Sequence, residues 1–284
     1  MSLSRRQTVQ SVAALAASLP LVPAAAGEAR AQPLPRPRPR TLHIAGDSTA
    51  AQKYADAAPE TGWGMALPFF LTPGLAVANH AVNGRSSKSF IDEGRLAAVL
   101  EALRPGDDLL VQFGHNDQKS ADPTRYTEPW TTYQDHLRQY VTGARARGAR
   151  PVLLTSVERR KFDASGRPVP THGAYPAAMR ALAAEEGVTL VDVQEASLAE
   201  WRRLGPEPSK EYFLWLAPGE SPNFPDGEQD NTHFRPRGAI EVARLVAAGL
   251  RAAGVLEPRH VRRLEDPVPA EWIGWPEPAT SPQT

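Results

Sequence analysis

The chain has 284 residues, 32 basic against 32 acidic side chains, and no cysteine. This balanced charge argues against nucleic acid as the main partner, and the missing cysteines exclude a disulfide-stapled scaffold, so stability must rest on a packed core. The length suits one ordinary α/β domain with terminal extensions.

Residues 1–31 read as an export signal, not as fold. Ser4-Arg5-Arg6-Gln7-Thr8-Val9 begins a basic region, an apolar run follows from Val12 to Val22, and small-residue cleavage signatures stand at Ala24-Ala25-Ala26 and Ala29-Arg30-Ala31. The paired arginines and the modest hydrophobicity of an Ala-rich run favour the twin-arginine route, although Thr8 stands where that motif usually carries Phe; an ordinary Sec signal is the alternative. The run is shorter than the ~20 residues needed to span a bilayer, so no membrane anchor is expected once the signal is removed. The expected location is periplasmic or extracellular. Without residues 1–31, which hold three arginines and one glutamate, 29 basic and 31 acidic residues remain.

Residues 32–40 form a spacer in which proline alternates with arginine from Pro33 to Arg40, a pattern that keeps the chain extended and solvated. The folded domain is expected over residues 41–254. The proline-rich tail, 255–284, has little periodicity and is expected to lie along the surface or be disordered, with Trp272 and Trp275 as candidates for docking it.

Within the domain, apolar runs suited to buried strands recur at Thr41–Ala45, Leu75–Val82, Asp108–Phe113, Pro151–Val157 and Val188–Val193. Helix-period stretches lie between or after them at Asp92–Leu103, Pro129–Arg147, Pro176–Glu186 and Pro236–Gly254. Glu128-Pro129 and Arg235-Pro236 put proline in a first helical turn, where its missing N–H is harmless. Strands alternating with helices predict a parallel sheet of about five strands covered on both faces. Residues 205–229 break the alternation with Tyr212, Phe213, Trp215 and Phe224 among prolines and glycines. They are either an irregular packed connection or a wall of a binding site.

In such a sheet, ligands bind beyond the carboxyl ends of the strands. Ser48 follows the first strand, Asn83-Gly84-Arg85-Ser86-Ser87 the second, and Gly114-His115-Asn116-Asp117 the third. Far downstream stands Asp230-Asn231-Thr232-His233. An Asp three residues before a His can reach back to one imidazole nitrogen and leave the other free to take a proton from a distant serine. Taken singly, Gly-Asp-Ser is an ordinary turn and Asp-x-x-His a helix cap with a surface His. Together they supply the parts of acyl transfer: Ser48 as nucleophile, His233 as base and Asp230 as its partner. The backbone N–H groups of Ser48 and Gly84 and the amide of Asn116 are candidate oxyanion donors. Asp47 is read as a loop brace, and Asp117 as a cap for the segment that follows it.

The blocks GDS, the glycine of NGRSS, the asparagine of GHND and the terminal DNTH resemble the four signature blocks of the SGNH hydrolases. The longer strings LHIAGDSTA, AVNGRSSKSF, VQFGHNDQK and FPDGEQDNTHF, with the Gly62-Trp63-Gly64 turn, are most similar to the rhamnogalacturonan acetylesterase-like carbohydrate esterases, over roughly residues 41–254. The resemblance implies a flavodoxin-like three-layer α/β/α sandwich and removal of acetyl groups from a pectic or related polysaccharide through an acetyl-Ser48 intermediate. It implies no metal and no organic cofactor. His43, His80, His115, His136, His172 and His260 show no ligand spacing and are read as structural or surface residues. Arg85, Arg159, Arg160 and His172 are candidate contacts for uronate carboxylates, and Trp63, Trp130 and Trp215 candidate faces for sugar stacking; packing is the alternative for each. The competing functions are an SGNH lipase, arylesterase or thioesterase on another ester and, more remotely, a noncatalytic carbohydrate-binding protein.

Overall fold

A computed structural model describes residues 39–278, so the expected signal, nearly all of the spacer and residues 279–284 lie outside the described residues. The five apolar runs form five parallel strands: β1 (Arg40–Gly46), β2 (Leu75–Asn79), β3 (Asp108–Gln112), β4 (Arg150–Leu154) and β5 (Thr189–Val191). Their order is β2-β1-β3-β4-β5, a doubly wound sheet whose switch point lies between β1 and β3. Period-two alternation sends successive side chains to opposite faces. Leu110, Val152 and Leu154 therefore enter one core and Leu109, Val111 and Leu153 the other.

Helices cover both faces: α1 (Trp63–Ala66), α2 (Ser87–Asp92), α3 (Arg95–Ala102), α4 (Gln134–Ala146), α5 (Tyr175–Glu185), α6 (Val193–Leu204) and α7 (Pro236–Ala252). On α4, Leu137, Tyr140, Val141 and Ala144 make the i, i+3, i+4, i+7 stripe of a core-facing helix. They share a core with Phe90 of α2, Val99 of α3 and Leu182 of α5. The other core holds Trp201 of α6 and Val242, Val246 and Leu250 of α7. Each such aliphatic burial contributes roughly 1.5–3 kcal/mol, and the sum fixes the three-layer α/β/α sandwich.

Several elements differ from the sequence expectation for local reasons. The predicted helix Asp92–Leu103 starts three residues late, as α3, because Gly94 takes a left-handed conformation (φ 73°) that separates it from α2, a helix with no prediction. The first five residues of the predicted Pro129–Arg147 helix form a π-helical turn, Pro129–Tyr133, ahead of α4. Helix α6 had no prediction; Asp192 caps it by accepting from the Glu195 N–H at 3.3 Å. The supposedly irregular stretch 205–229 contains β6 (Phe213–Leu216), which pairs antiparallel with β7 (Glu228–Phe234) as a second, two-stranded sheet.

This small sheet is anchored from below. Phe213 packs against Trp201 and Phe234 with ring centroids 4.9 and 5.2 Å apart. Gly238 in the first turn of α7 lies so close to the Tyr212 carbonyl that a Cβ would sit 1.8 Å from its oxygen, so only glycine fits there. The described part of the tail follows the surface and docks: Val261 bridges Leu71, and the Trp275 indole donates to the Glu60 carbonyl at 2.8 Å.

Candidate active site

The loop after β1 owes its shape to Asp47. This fully buried carboxylate accepts from the Thr49 N–H at 3.0 Å and the Thr49 hydroxyl at 2.7 Å, while its carbonyl accepts from Ala50 and Ala51. Burial raises its pKa, with the Thr49 bonds opposing. The brace holds Ser48, 9% exposed, at the carboxyl end of the strand.

The structure brings Ser48, His233 and Asp230 into one line. His233 Nε2 lies 2.8 Å from Ser48 Oγ and Nδ1 lies 2.5 Å from Asp230 Oδ2. Residues three apart on a regular strand face opposite sides of the sheet, yet these two meet because β7 bulges. Phe213 pairs with Phe234 and Trp215 with Gln229; between those pairs β6 contributes one residue, Leu214, and β7 four, Asp230 to His233. Asp230 Oδ1 accepts from the Thr232 and His233 N–H groups at 2.5 and 3.1 Å and turns the chain back on itself. Burial pulls the His233 pKa down, but the bond to Asp230 and the charges of Glu60 and Asp230 outweigh it and leave the pKa raised. Asp230 shows the mirror effect: burial opposes ionisation, and the bonds from His233 and the backbone hold its pKa low.

Around Ser48 lie the other predicted positions. Gly84 sits in a turn with φ 76°, a conformation closed to most side chains. Asn116, nearly buried, donates one amide hydrogen to the Arg85 carbonyl at 3.0 Å, which ties the β3 loop to the β2 loop and leaves its second hydrogen unengaged among the described residues. The backbone N–H groups of Ser48 and Gly84 have no acceptor among the described residues.

Asp117 does not cap the segment after it. Its carboxylate reaches back to the start of α2, accepting from Ser87 N–H at 3.0 Å, from Ser87 Oγ at 2.5 Å and from Thr127 Oγ1 at 3.3 Å. Burial nevertheless pushes its pKa up to about 7, against the Ser87 bonds. A carboxyl raised from 3.8 binds its proton more tightly in the folded state, so its contribution to stability is complete below about pH 4 and lost as pH rises toward 7. Asp117→Asn removes that dependence. Urea unfolding should show the variant gaining on the wild type between about pH 4 and 7; a constant difference would mean that Asp117 stays ionised throughout.

The candidate substrate contacts sort differently from their sequence reading. Trp63 is fully buried with its indole N–H on Gln112 Oε1 at 2.6 Å, so it offers no sugar a face. His172 is also buried, bonded to His115 Nδ1 at 3.1 Å and paired with Glu158 at 3.2 Å, so it meets no substrate carboxylate. Arg85 is held by both oxygens of Glu93. Arg160 and Trp215 both donate to Asn231 Oδ1 at 3.0 Å. Arg159 bonds only neutral groups among the described residues, and Trp130 is 54% exposed. Sequence reading missed Lys53 and Glu60, a 2.6 Å ion pair whose lysine also donates to Asn83 beside Gly84. No local pattern announces that pair, because the fold and not the local sequence brings Lys53 to Glu60 and Asn83.

A hydroxyl, an imidazole and a carboxylate thus lie in line at the carboxyl end of a doubly wound parallel sheet, the groups that acyl transfer by a serine needs. The chain belongs to the GDSL-like lipase/acylhydrolase family, whose profile matches residues 44–239. Over 214 residues it is 46% identical to the rhamnogalacturonan acetylesterase RhgT of Bacillus subtilis strain 168, covering 75% of this chain and 90% of that protein. It is 43% identical over 214 residues to the probable rhamnogalacturonan acetylesterase YesY of the same organism, covering 75% and 94%. The crystal structure of YxiM, also from Bacillus subtilis, superposes with a TM-score of 0.66 at 28% identity, covering 76% of this chain and 57% of that one.

Proposed function

We propose that this protein is a serine esterase that removes acetyl groups from rhamnogalacturonan or a closely related pectic polysaccharide, with Ser48 as nucleophile, His233 as general base and Asp230 as its partner. The observation that carries the mechanism is the Ser48–His233–Asp230 line at 2.8 and 2.5 Å. The acetylesterase names of two relatives, 46% and 43% identical to this chain, support the substrate. His233 Nε2 takes the Ser48 proton as Oγ attacks the acetyl carbonyl, and the free N–H groups of Ser48 and Gly84 with the Asn116 amide receive the oxyanion. Collapse expels the sugar oxygen, which takes the proton from His233 and leaves acetyl-Ser48. Water, deprotonated by His233, then releases acetate and restores the hydroxyl.

A cavity of about 670 Å³ next to Gly84 is lined by Arg85, Lys88, Asp92, Glu93, Asp122 and Arg125 among others. A wall so charged suits a glycan better than an acyl chain, which favours carbohydrate over the lipase and thioesterase readings. Acetate release should be measured on acetylated rhamnogalacturonan, acetylated xylan and a long-chain ester in parallel. Preference for the pectic polymer is expected, and preference for the long-chain ester would overturn the substrate assignment. Action on a polymer also fits export by residues 1–31; Arg5→Lys with Arg6→Lys should abolish secretion if the twin-arginine route is used, and leave it intact for Sec.

Asn116→Ala tests the oxyanion site. An amide that engages the oxyanion only as it forms should lower kcat by roughly 10²–10³-fold when lost, with KM little changed. A rise in KM at constant kcat would place Asn116 in binding instead.

A further inference from the structure

A bulge of four residues opposite one has no strand ladder to hold it. The bonds within it, from Asp230 Oδ1 to the backbone of Thr232 and His233, set its internal turn but not its place on the protein. Its attachment is at Asn231. The Arg160 N–H donates to the Asn231 carbonyl at 2.8 Å, Arg160 Nη1 donates to Asn231 Oδ1 at 3.0 Å, and the Trp215 indole donates to the same oxygen at 3.0 Å. Arg160 Nε reaches Ser209 Oγ at 3.0 Å and Nη2 the Pro206 carbonyl. Its guanidinium lies over the Trp215 and Phe162 rings at 5.0 and 5.5 Å.

An arginine that waits for a substrate carboxylate keeps its fork of donors free. In Arg160 all three guanidinium nitrogens are engaged, and every acceptor is a neutral oxygen, of Asn231 in the bulge or of Pro206 and Ser209 ahead of β6. Asn231 Oδ1 in turn has both lone pairs filled, by donors from the β4 side and from β6. Loss of either partner would strand a partly buried donor or acceptor, and the bulge would relax to satisfy it. We infer that Arg160, acting through Asn231, is a positioning residue that clamps the β7 bulge so that Asp230 and His233 stay aligned on Ser48. This rests on the proposed roles of those three residues.

The test is steady-state kinetics with nitrophenyl acetate and with the acetylated polysaccharide, measured on the alkaline plateau of the pH profile. Arg160→Met and Asn231→Ala should each lower kcat about 10- to 100-fold on both substrates with KM nearly unchanged. The double variant should be no worse than the weaker single one, because the Arg160–Asn231 side-chain bond is already lost in each. Asn231→Asp keeps an acceptor for both donors and should retain most of the turnover. A higher KM for the polysaccharide alone in Arg160→Met would make Arg160 a substrate contact and overturn the clamp; so would independent, multiplying losses in the double variant. If Arg160→Met fails to fold, the Asn231 pair decides, since equal losses in the Ala and Asp variants would also overturn it. His233→Ala in the same assay separates the two proposals: activity retained there defeats the triad, whereas an inactive His233→Ala beside a fully active Arg160→Met defeats only the clamp.

Discussion

Ser48→Ala should lower kcat for nitrophenyl acetate and for the polysaccharide by about 10⁴-fold or more, to near the level that an oxyanion site and binding alone sustain. In the proposed mechanism the hydroxyl forms the acyl bond, so its loss removes the covalent route and not merely an accelerating contact. Folding should be untouched: the Oγ bonds only His233 among the described residues, and the brace that shapes the loop belongs to Asp47 and Thr49. A fluorophosphonate probe followed by intact-mass measurement should find one adduct on the wild type and none on the variant. Labelling that persists in Ser48→Ala would move the nucleophile elsewhere.

Much of this architecture is legible in the sequence, because a strand buried on both faces must be a short apolar run and each of the five runs is bounded by turn residues. The site blocks were legible for a related reason. Ser48 and Asn116 each sit one or a few residues beyond the end of such a run, where the sheet delivers them to a common rim. The β6–β7 sheet was not legible. Phe213 and Trp215 lie among prolines and glycines that signal irregular chain, and the polar stretch Asp230 to His233 does not alternate, since it is a bulge and not a ladder.

Two of the missed contacts join residues distant in sequence. Arg160 meets Asn231 across 71 residues and Lys53 meets Asn83 across 30, separations at which periodicity carries no information. Burial likewise decides against two of the sequence candidates. Trp63 and His172 are residue types that often contact glycans, but here the core closes over both, and their polar atoms are satisfied internally by Gln112, His115 and Glu158.

Asp230→Asn should act on rate and pH dependence at once. The aspartate accepts from His233 Nδ1 at 2.5 Å, which holds the proton on that nitrogen and presents Nε2 bare to Ser48. An asparagine can instead donate to Nδ1 and stabilise the tautomer whose Nε2 carries the proton and cannot act as base; a loss of about 10⁴-fold in kcat is the scale expected for that change in a triad. The sign of the pH effect follows from the charge. Only neutral imidazole accepts the Ser48 proton, so activity rises as pH passes upward through the His233 pKa. That pKa stands above its ordinary value of 6.5, because Asp230, with Glu60, outweighs the downward pull of burial. Removing the Asp230 charge removes part of the upward pull, and the acid limb of kcat/KM should move to lower pH even as the plateau falls. The two effects oppose each other on the acid side, so the ratio of wild-type to variant activity should shrink as pH drops below the wild-type limb. A pH–rate profile of both proteins on nitrophenyl acetate measures all of this, and an unshifted limb with an undiminished plateau would exclude Asp230 as the partner of His233.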